Sequence, residues 1–223
     1  MFSSELTPKA EKTRTRIRDA AINSFVSRGY ADTTIRLIAD EAGVSTGSAY
    51  YYFPSKTHLV QELYEQVQHE HAQIAAERLG EAIGVVERLR IVFETGLATL
   101  EPYRRVAPGF LSAMIAPDSP INPLSRESSP AREVTIGLFR HAVADAEHRL
   151  PEDIADRLPE ALFVAYLALV LRWTYDDSDD RSRTGRLLDT ALRVLTVSLP
   201  FTRLPGVRGV VRDLLEQVAG VRP

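Results

Sequence analysis

Cysteine is absent from the 223 residues, which excludes disulfides, thiolate nucleophiles and Cys-ligated metals and suits a reducing compartment. Lysine is almost absent too: Lys9, Lys12 and Lys56 stand against 24 arginines, and all three lie within residues 1–60. No long apolar run exists. The longest, Ala161 to Leu171, is about half of the roughly 20 residues a membrane span needs, and the opening MFSSELTPKAEKTRTR holds no apolar h-region of a secretory signal. Strand-like alternation is nowhere sustained, no repeat of solenoid period occurs, and no glycine-rich loop could cradle a phosphate. What is present, 44% hydrophobic and 26% charged residues, is the balance of a globular chain and not of a disordered one. The expectation is a cytoplasmic protein without cofactor or membrane partner, built as one compact unit or as a small head on a larger body.

Charge is unevenly placed. Residues 1–60 carry eight Lys/Arg against six Asp/Glu, while the remainder carries 19 against 24, within a net charge of −3. A basic end on an acidic body is a hint of polyanion binding.

Nearly every segment has helical period. Ile17, Ala20, Ala21 and Phe25 line a first helix that Gly29 closes; Thr33-Thr34 offers the N-cap of a second carrying Ile35, Ile38, Ala39 and Ala42, which stops at Gly43. Ser45 caps a third running to Phe53, where Pro54-Ser55 breaks it. A fourth, about Ser55 to Glu77, follows with Leu59, Leu63, Val67 and Ile74. Later stripes are Val85, Leu89, Val92, Gly96 and Leu100; Ile136, Phe139, Val143 and Ala146; Leu188, Ala191, Leu195 and Leu199; and Val207 to Val218. Pro117, Pro120, Pro123 and Pro130, with several serines, read as one long, mobile loop. The fold class is all-α.

The informative stretch is IRLIADEAGVSTGSAYYYFPSK, Ile35 to Lys56. Two short helices joined by a glycine-containing turn have the form of a helix-turn-helix, which lays its second helix in the DNA major groove. That helix opens Ser45-Thr46-Gly47-Ser48, small and hydrogen-bonding, and continues Tyr50-Tyr51-Tyr52. A capping box would place an acid at position 48, yet no acid occurs from Val44 to Phe53. The next helix opens Ser55-Lys56, a cation at an already positive terminus, unfavourable by ~0.3–1 kcal/mol until an anion arrives.

Thr13 to Leu63, TRTRIRDAAINSFVSRGYADTTIRLIADEAGVSTGSAYYYFPSKTHLVQEL, resembles the tetracycline-repressor (TetR) family of bacterial transcriptional regulators in residue type and spacing, from Phe25 and Gly29-Tyr30 through Gly43-Val44-Ser45 to Tyr52-Phe53, Lys56 and Leu59. The resemblance covers about a quarter of the chain. It implies a three-helix DNA-binding head at residues 1–58, with a helical ligand-binding and dimerisation body at 59–223. Carried over by position, Thr34, Tyr52 and Lys56 bind phosphates; Ser45 caps the recognition helix; Thr46, Gly47, Ser48 and Tyr51 face base edges. Tyr50 and Phe53 pack inward, and Lys12, Arg14 and Arg16 follow the DNA backbone or a minor groove. Without Arg, Lys, Asn or Gln the recognition helix has no bidentate base code, so no operator can be derived from it.

If the body follows the family it holds a small-molecule effector, and Phe93, Phe110, Met114, Phe139, Phe163, Tyr166 and Trp173, on inward faces of different helices, are the candidate contacts beside a core-filling reading of each. Arg172 could orient an anionic ligand or pair with a carboxylate. Ala161 to Leu171, apolar on all sides, and Leu187 to Leu199 form a plausible antiparallel pair, and two such pairs make a homodimer interface. The partners expected are a double-stranded DNA operator, an effector and a second copy of the chain, and the output is repression relieved by the effector. Two rivals stand beside this: a DNA-binding dimer controlled by a protein partner or a corepressor, and an all-α enzyme.

Other motifs carry no chemistry. Gly43-Val44-Ser45-Thr46-Gly47 matches the hydrolase G-x-S-x-G, but a helix and not a strand precedes it. Asp176 to Asp180 lacks the glycine and the bidentate Glu of a calcium loop and reads as a turn before a helix starting near Arg181. His69 and His71 cannot share a helix face, and His141 and His148 are too far apart for one metal.

Overall fold

The computed structural model describes residues 7–116, 119–147 and 150–219, so Pro117 of the proline-rich loop and His148 lie outside the described residues. Among them the chain is all-helical, without strands. The head comprises α1 (Pro8–Arg28), α2 (Ile35–Ala42) and α3 (Thr46–Tyr52); α4 (Lys56–Leu79) runs from head into body. The body adds α5 (Val85–Leu100), α6 (Ala107–Ile115), α7 (Ser129–Ala144), the single turn α8 (Glu152–Ala155), α9 (Leu158–Thr174), α10 (Ser182–Ser198) and α11 (Pro205–Ala219).

Local chemistry sets the head boundaries. The hydroxyls of Thr34, Ser45 and Ser55 each accept a backbone N–H three residues on, from Leu37, Ser48 and His58, satisfying donors that a helix start leaves orphaned. Gly29 at φ 86° and Gly43 at φ 64° end α1 and α2 in conformations open to glycine. The expected first stripe, Ile17, Ala20, Ala21 and Phe25, is buried against Ile35, Ile38 and Ala42 of α2.

Two hydrophobic cores result. The body core joins α4, α5, α7 and α9. The head core does not stop at residue 58: Leu59 and Val60 of α4, Val106 and Phe110 at α6, and Ile121 belong to it. On α4 the buried face turns through Val67, His71 and Ala75, so Ile74, expected on that stripe, points outward. The buried Arg88 guanidinium donates to the carbonyls of Leu79, Ala82, Ala142 and His141 at 2.9–3.1 Å, capping the ends of α4 and α7 together.

From Ser119 onward the proline-rich loop is tied down, not loose. Ser125 and Gln61 side chains both donate to the Pro120 carbonyl, Asn122 bridges Ala116 and Leu124, and Arg132 reaches the carbonyls of Pro123 and Ser125. After α9, buried Asp176 accepts from the backbone and hydroxyl of Thr184 at 2.7 and 2.6 Å and pins the first turn of α10, which starts at Ser182. Arg172 lies 3.8 Å from the same carboxylate, the protein-internal pairing of its two readings.

Helix α9 is buried on one side only. Ala165, Ala168 and Leu171 are exposed, as are Leu187, Val194 and Val197 on α10 and Val207, Val210 and Leu214 on α11. The second layer expected over α9 is therefore not supplied by the chain itself. Among the described residues no helix is long and apolar enough to cross a membrane, and no cluster of three or more His, Asp or Glu could hold a metal.

Candidate nucleic-acid interface and body cavity

The α2–turn–α3 unit is locked from behind. Arg16 donates to the Ala42 carbonyl and, at 3.4 Å, to that of Gly43, placing a cation on the negative end of α2. Arg16 thus remains exposed but is engaged by the head's own backbone. On α3, Ala49 and Phe53 point inward. With 3.6 residues per turn, the opposite side carries exposed Gly47 and Tyr51, the latter 79% exposed, with half-buried Ser48 beside them, while exposed Ser45 and half-buried Thr46 open the helix. Tyr50 does not pack inward as expected. It lies about 100° from Ala49 around the helix and is 51% exposed. Half-buried Tyr52 holds the Tyr51 ring edge-on at 5.2 Å.

No cavity of the head demands Gly47. A Cβ there would meet nothing within 4 Å, and its backbone is ordinary helix. Helices α2, α3 and α4 all lack an acid in their first turn, so three positive N-termini in succession carry no internal counter-charge.

The basic residues divide differently from expectation. The Lys56 ammonium donates to the carbonyls of Tyr30 at 2.6 Å and Thr33 at 3.0 Å and sits 4.1 Å from the centre of the Tyr30 ring. Burial lowers its pKa, partly offset by Asp32. Its charge is taken up by the α1–α2 loop, which corrects the reading of Lys56 as an uncompensated cation. Arg14 is likewise engaged, 2.5 Å from Glu62 and over the Phe53 ring. The head cations whose side chains make no hydrogen bond or ion pair among the described residues are Lys9, Lys12 and Arg36. Arg36 was not singled out from sequence. Its signal is a basic residue in the first turn of a helix, where it opposes the dipole.

In the body, a cavity of about 470 Å³ opens between α4, α6, α9 and the 122–124 loop. Phe110, Met114, Tyr166 and Trp173 line it, but Phe93, Phe139 and Phe163 do not. These three are core residues: Phe93 and Phe139 pack at 5.1 Å where α5 and α7 meet the far side of α9, and Phe163 is fully buried beside them. The cavity instead gains Tyr64, Gln68 and Tyr103, polar residues that a hydrophobic stripe does not flag. The Tyr166 hydroxyl is buried without a partner, against Gly96, where a Cβ would stand 2.7 Å from it. His71 stacks on Tyr166 and bonds the Val92 carbonyl at 2.9 Å; burial, only partly offset by that bond, pushes its pKa down to about 4.

Phe110 belongs to both places. It lines the cavity, meets Phe25 edge-on at 5.3 Å and packs on Tyr30 at 5.4 Å. A second depression, about 550 Å³ between α5 and α10, is lined by Arg90, Asp189, Glu101 and Arg181, charges already paired across it.

A helix-turn-helix head fused to a helical body with an apolar cavity defines a DNA-binding regulator. Residues 17–63 match the bacterial regulatory proteins of the tetR family, and residues 88–214 match the tetracyclin repressor-like C-terminal domain. The chain belongs to the TetR family of helix-turn-helix transcriptional regulators, which are not enzymes. It is 29% identical over 199 residues to the HTH-type transcriptional regulator TtgR of Pseudomonas putida, covering 85% of this chain and 94% of that one. Its fold is that of a tetR-family regulator from Streptomyces coelicolor (TM-score 0.63, 18% identity, 93% and 89% of the two chains). It is also that of FadR from Bacillus subtilis, solved with stearoyl-CoA (TM-score 0.61, 16% identity, 78% and 95%).

Proposed function

We propose that this regulator is a cytoplasmic homodimeric repressor that a small molecule releases from its operator, with residues 1–58 as the DNA-binding unit and 59–223 as the regulatory one. The observation that carries the reading is Phe110, one side chain shared between the cavity wall and the head core. A ligand that displaces it acts directly on Phe25 and Tyr30, and through the Tyr30 carbonyl on Lys56 at the start of α4. DNA and ligand then bind antagonistically, by equal factors in each direction.

On DNA, Ser45, Thr46, Gly47, Ser48 and Tyr51 face the bases and sugar-phosphate edge. Thr34, Tyr52, Arg36 and the lysines of α1 contact phosphates, which fix register without specifying sequence. Two copies join through the uncovered faces of α9 and α10, giving the two heads the spacing that successive major grooves require.

The test is fluorescence anisotropy of the purified protein on DNA flanking its own gene, over a salt series, with scrambled DNA as control. Selective, salt-sensitive binding that falls on Tyr51→Ala supports the reading; equal binding to every fragment defeats it. A ligand that tightens DNA binding would replace release by corepression, and sedimentation showing a monomer at micromolar concentration would remove the dimer.

A further inference from the structure

Resting on the effector reading above, we infer that the molecule taken up between α4, α6 and α9 is uncharged: a largely apolar compound presenting a hydrogen-bond acceptor to the Gln68 amide and the Tyr64 hydroxyl. Among the described residues the cavity wall contains no Asp, Glu, Lys, Arg or His. A carboxylate, phosphate or ammonium group entering it would shed its water and find no counter-charge, which is the costliest event a binding site can impose. Arg132, the cation whose charge reaches Tyr64, is already bonded to the carbonyls of Pro123 and Ser125 at 2.9 and 2.8 Å.

The wall's polar groups narrow the class further. Thr174 donates to Val170, and Asn122 is consumed by Ala116 and Leu124. Gln68 is different. It is buried, and the Thr135 hydroxyl donates to its Oε1 at 2.6 Å. That bond fixes which end of the amide is oxygen, and leaves Nε2 as an oriented donor with no hydrogen bond among the described residues. Tyr64, one turn earlier on α4, also lines the cavity with a hydroxyl that bonds nothing among the described residues. Burial pushes its phenol well above the ordinary value, against the weaker pull of Arg132, so it stays protonated and donates. Two donors on one apolar wall suit the oxygen of a ketone, ester or ether. A volume of about 470 Å³ lies within the roughly 300–1,000 Å³ of sites for drug-sized ligands. The phosphates of a CoA thioester, the ligand in the FadR structure, have no cation to meet here.

The experiment uses the full-length protein and three matched probes: 4-(benzyloxy)benzophenone, and the same ketone with a carboxylate or a trimethylammonium group on the terminal ring. Affinities come from calorimetry, and irradiation of the bound ketone followed by peptide mapping locates it. The expected result is binding of the neutral ketone at least about tenfold tighter than either ion, labelling at Met114 or its α6 neighbours, and no displacement by stearoyl-CoA. Gln68→Met and Tyr64→Phe should each weaken the neutral probe roughly two- to tenfold; Tyr64→Phe removes a hydroxyl that bonds nothing among the described residues, so its effect does not depend on the stability of Gln68→Met.

Binding of either ion as tightly as the ketone, binding of none of the three, labelling outside the cavity, or displacement by stearoyl-CoA overturns the inference. Operator binding is measured separately on the same preparation. Its failure would sink the repressor reading while leaving the ligand preference standing, and the converse result would do the opposite.

Discussion

Replacing Gly47 by alanine should move stability and DNA binding in opposite directions. Gly47 sits in the first turn of α3 with helical backbone, and a Cβ there would touch nothing within 4 Å. The chain alone thus loses nothing and gains the helix preference of alanine, worth ~0.5–1 kcal/mol. For a chain of this size that is a rise in melting temperature of about 1–4 °C. Against DNA the new methyl projects beside Tyr51, one turn on, from the side of α3 opposite the head core. Holding the helix off the groove there should weaken the operator complex at least tenfold, or about 1.4 kcal/mol. Differential scanning calorimetry reads the first effect and anisotropy at fixed salt the second. Gly137→Ala, also helical and with open space around its Cβ but in the body, is the control that should stabilise without touching DNA affinity. Unchanged operator affinity in Gly47→Ala would refute the placement of this face against DNA.

Four further outcomes are expected. Lys56→Met should lower head stability yet leave the slope of log K against log salt unchanged, whereas Arg36→Ala should reduce that slope by about 0.9, one phosphate contact; anisotropy over a salt series separates them. Phe110→Leu should preserve ligand binding while shrinking the ligand's effect on operator affinity, and undiminished coupling would rule out Phe110 as the connection. Gly96→Ala forces a methyl against the Tyr166 ring and should cost about 1–3 kcal/mol in denaturant melts, with weaker ligand binding as the ring is pushed. His71, with its folded pKa depressed to about 4 below an unfolded value near 6.5, binds its proton more readily when unfolded. Its contribution is therefore complete above about pH 6.5 and is lost as pH falls toward 4, by up to about 3 kcal/mol; a pH series of melts should show this loss, and His71→Gln should flatten it.

The head was legible because its punctuation is local. Thr34, Gly43, Ser45 and Pro54-Ser55 act within one turn of themselves, and the helix limits follow from them to within a residue or so. What the cations do was not legible. Lys56 finds carbonyls 23 to 26 residues away, and Arg14 finds Glu62 across the head, pairings that neither the sequence nor roles carried over by resemblance could reveal. In the body, α6 escaped the periodicity because it is nine residues long with Pro108 and Gly109 near its start. An inward-pointing aromatic also says nothing about whether a void lies beside it. Phe139 and Phe110 have the same sequence character, and only their surroundings distinguish them: Phe139 on α7 is enclosed by the body core, whereas Phe110 on α6 lies between the head core and the cavity.

The head core has a bearing on modularity. Because Val106, Phe110 and Ile121 complete the packing around Phe25, a cut at residue 58 does not separate a free-standing reader of DNA from its controller. A chimaera that transplants residues 1–58 onto another regulator's body would carry half a core and meet a foreign surface where α6 should be. Swapping specificity between such proteins calls for exchanging only the outer side of α3, or for moving α6 and the 119–128 loop along with the head, so that sensor and reader change as one inheritance unit.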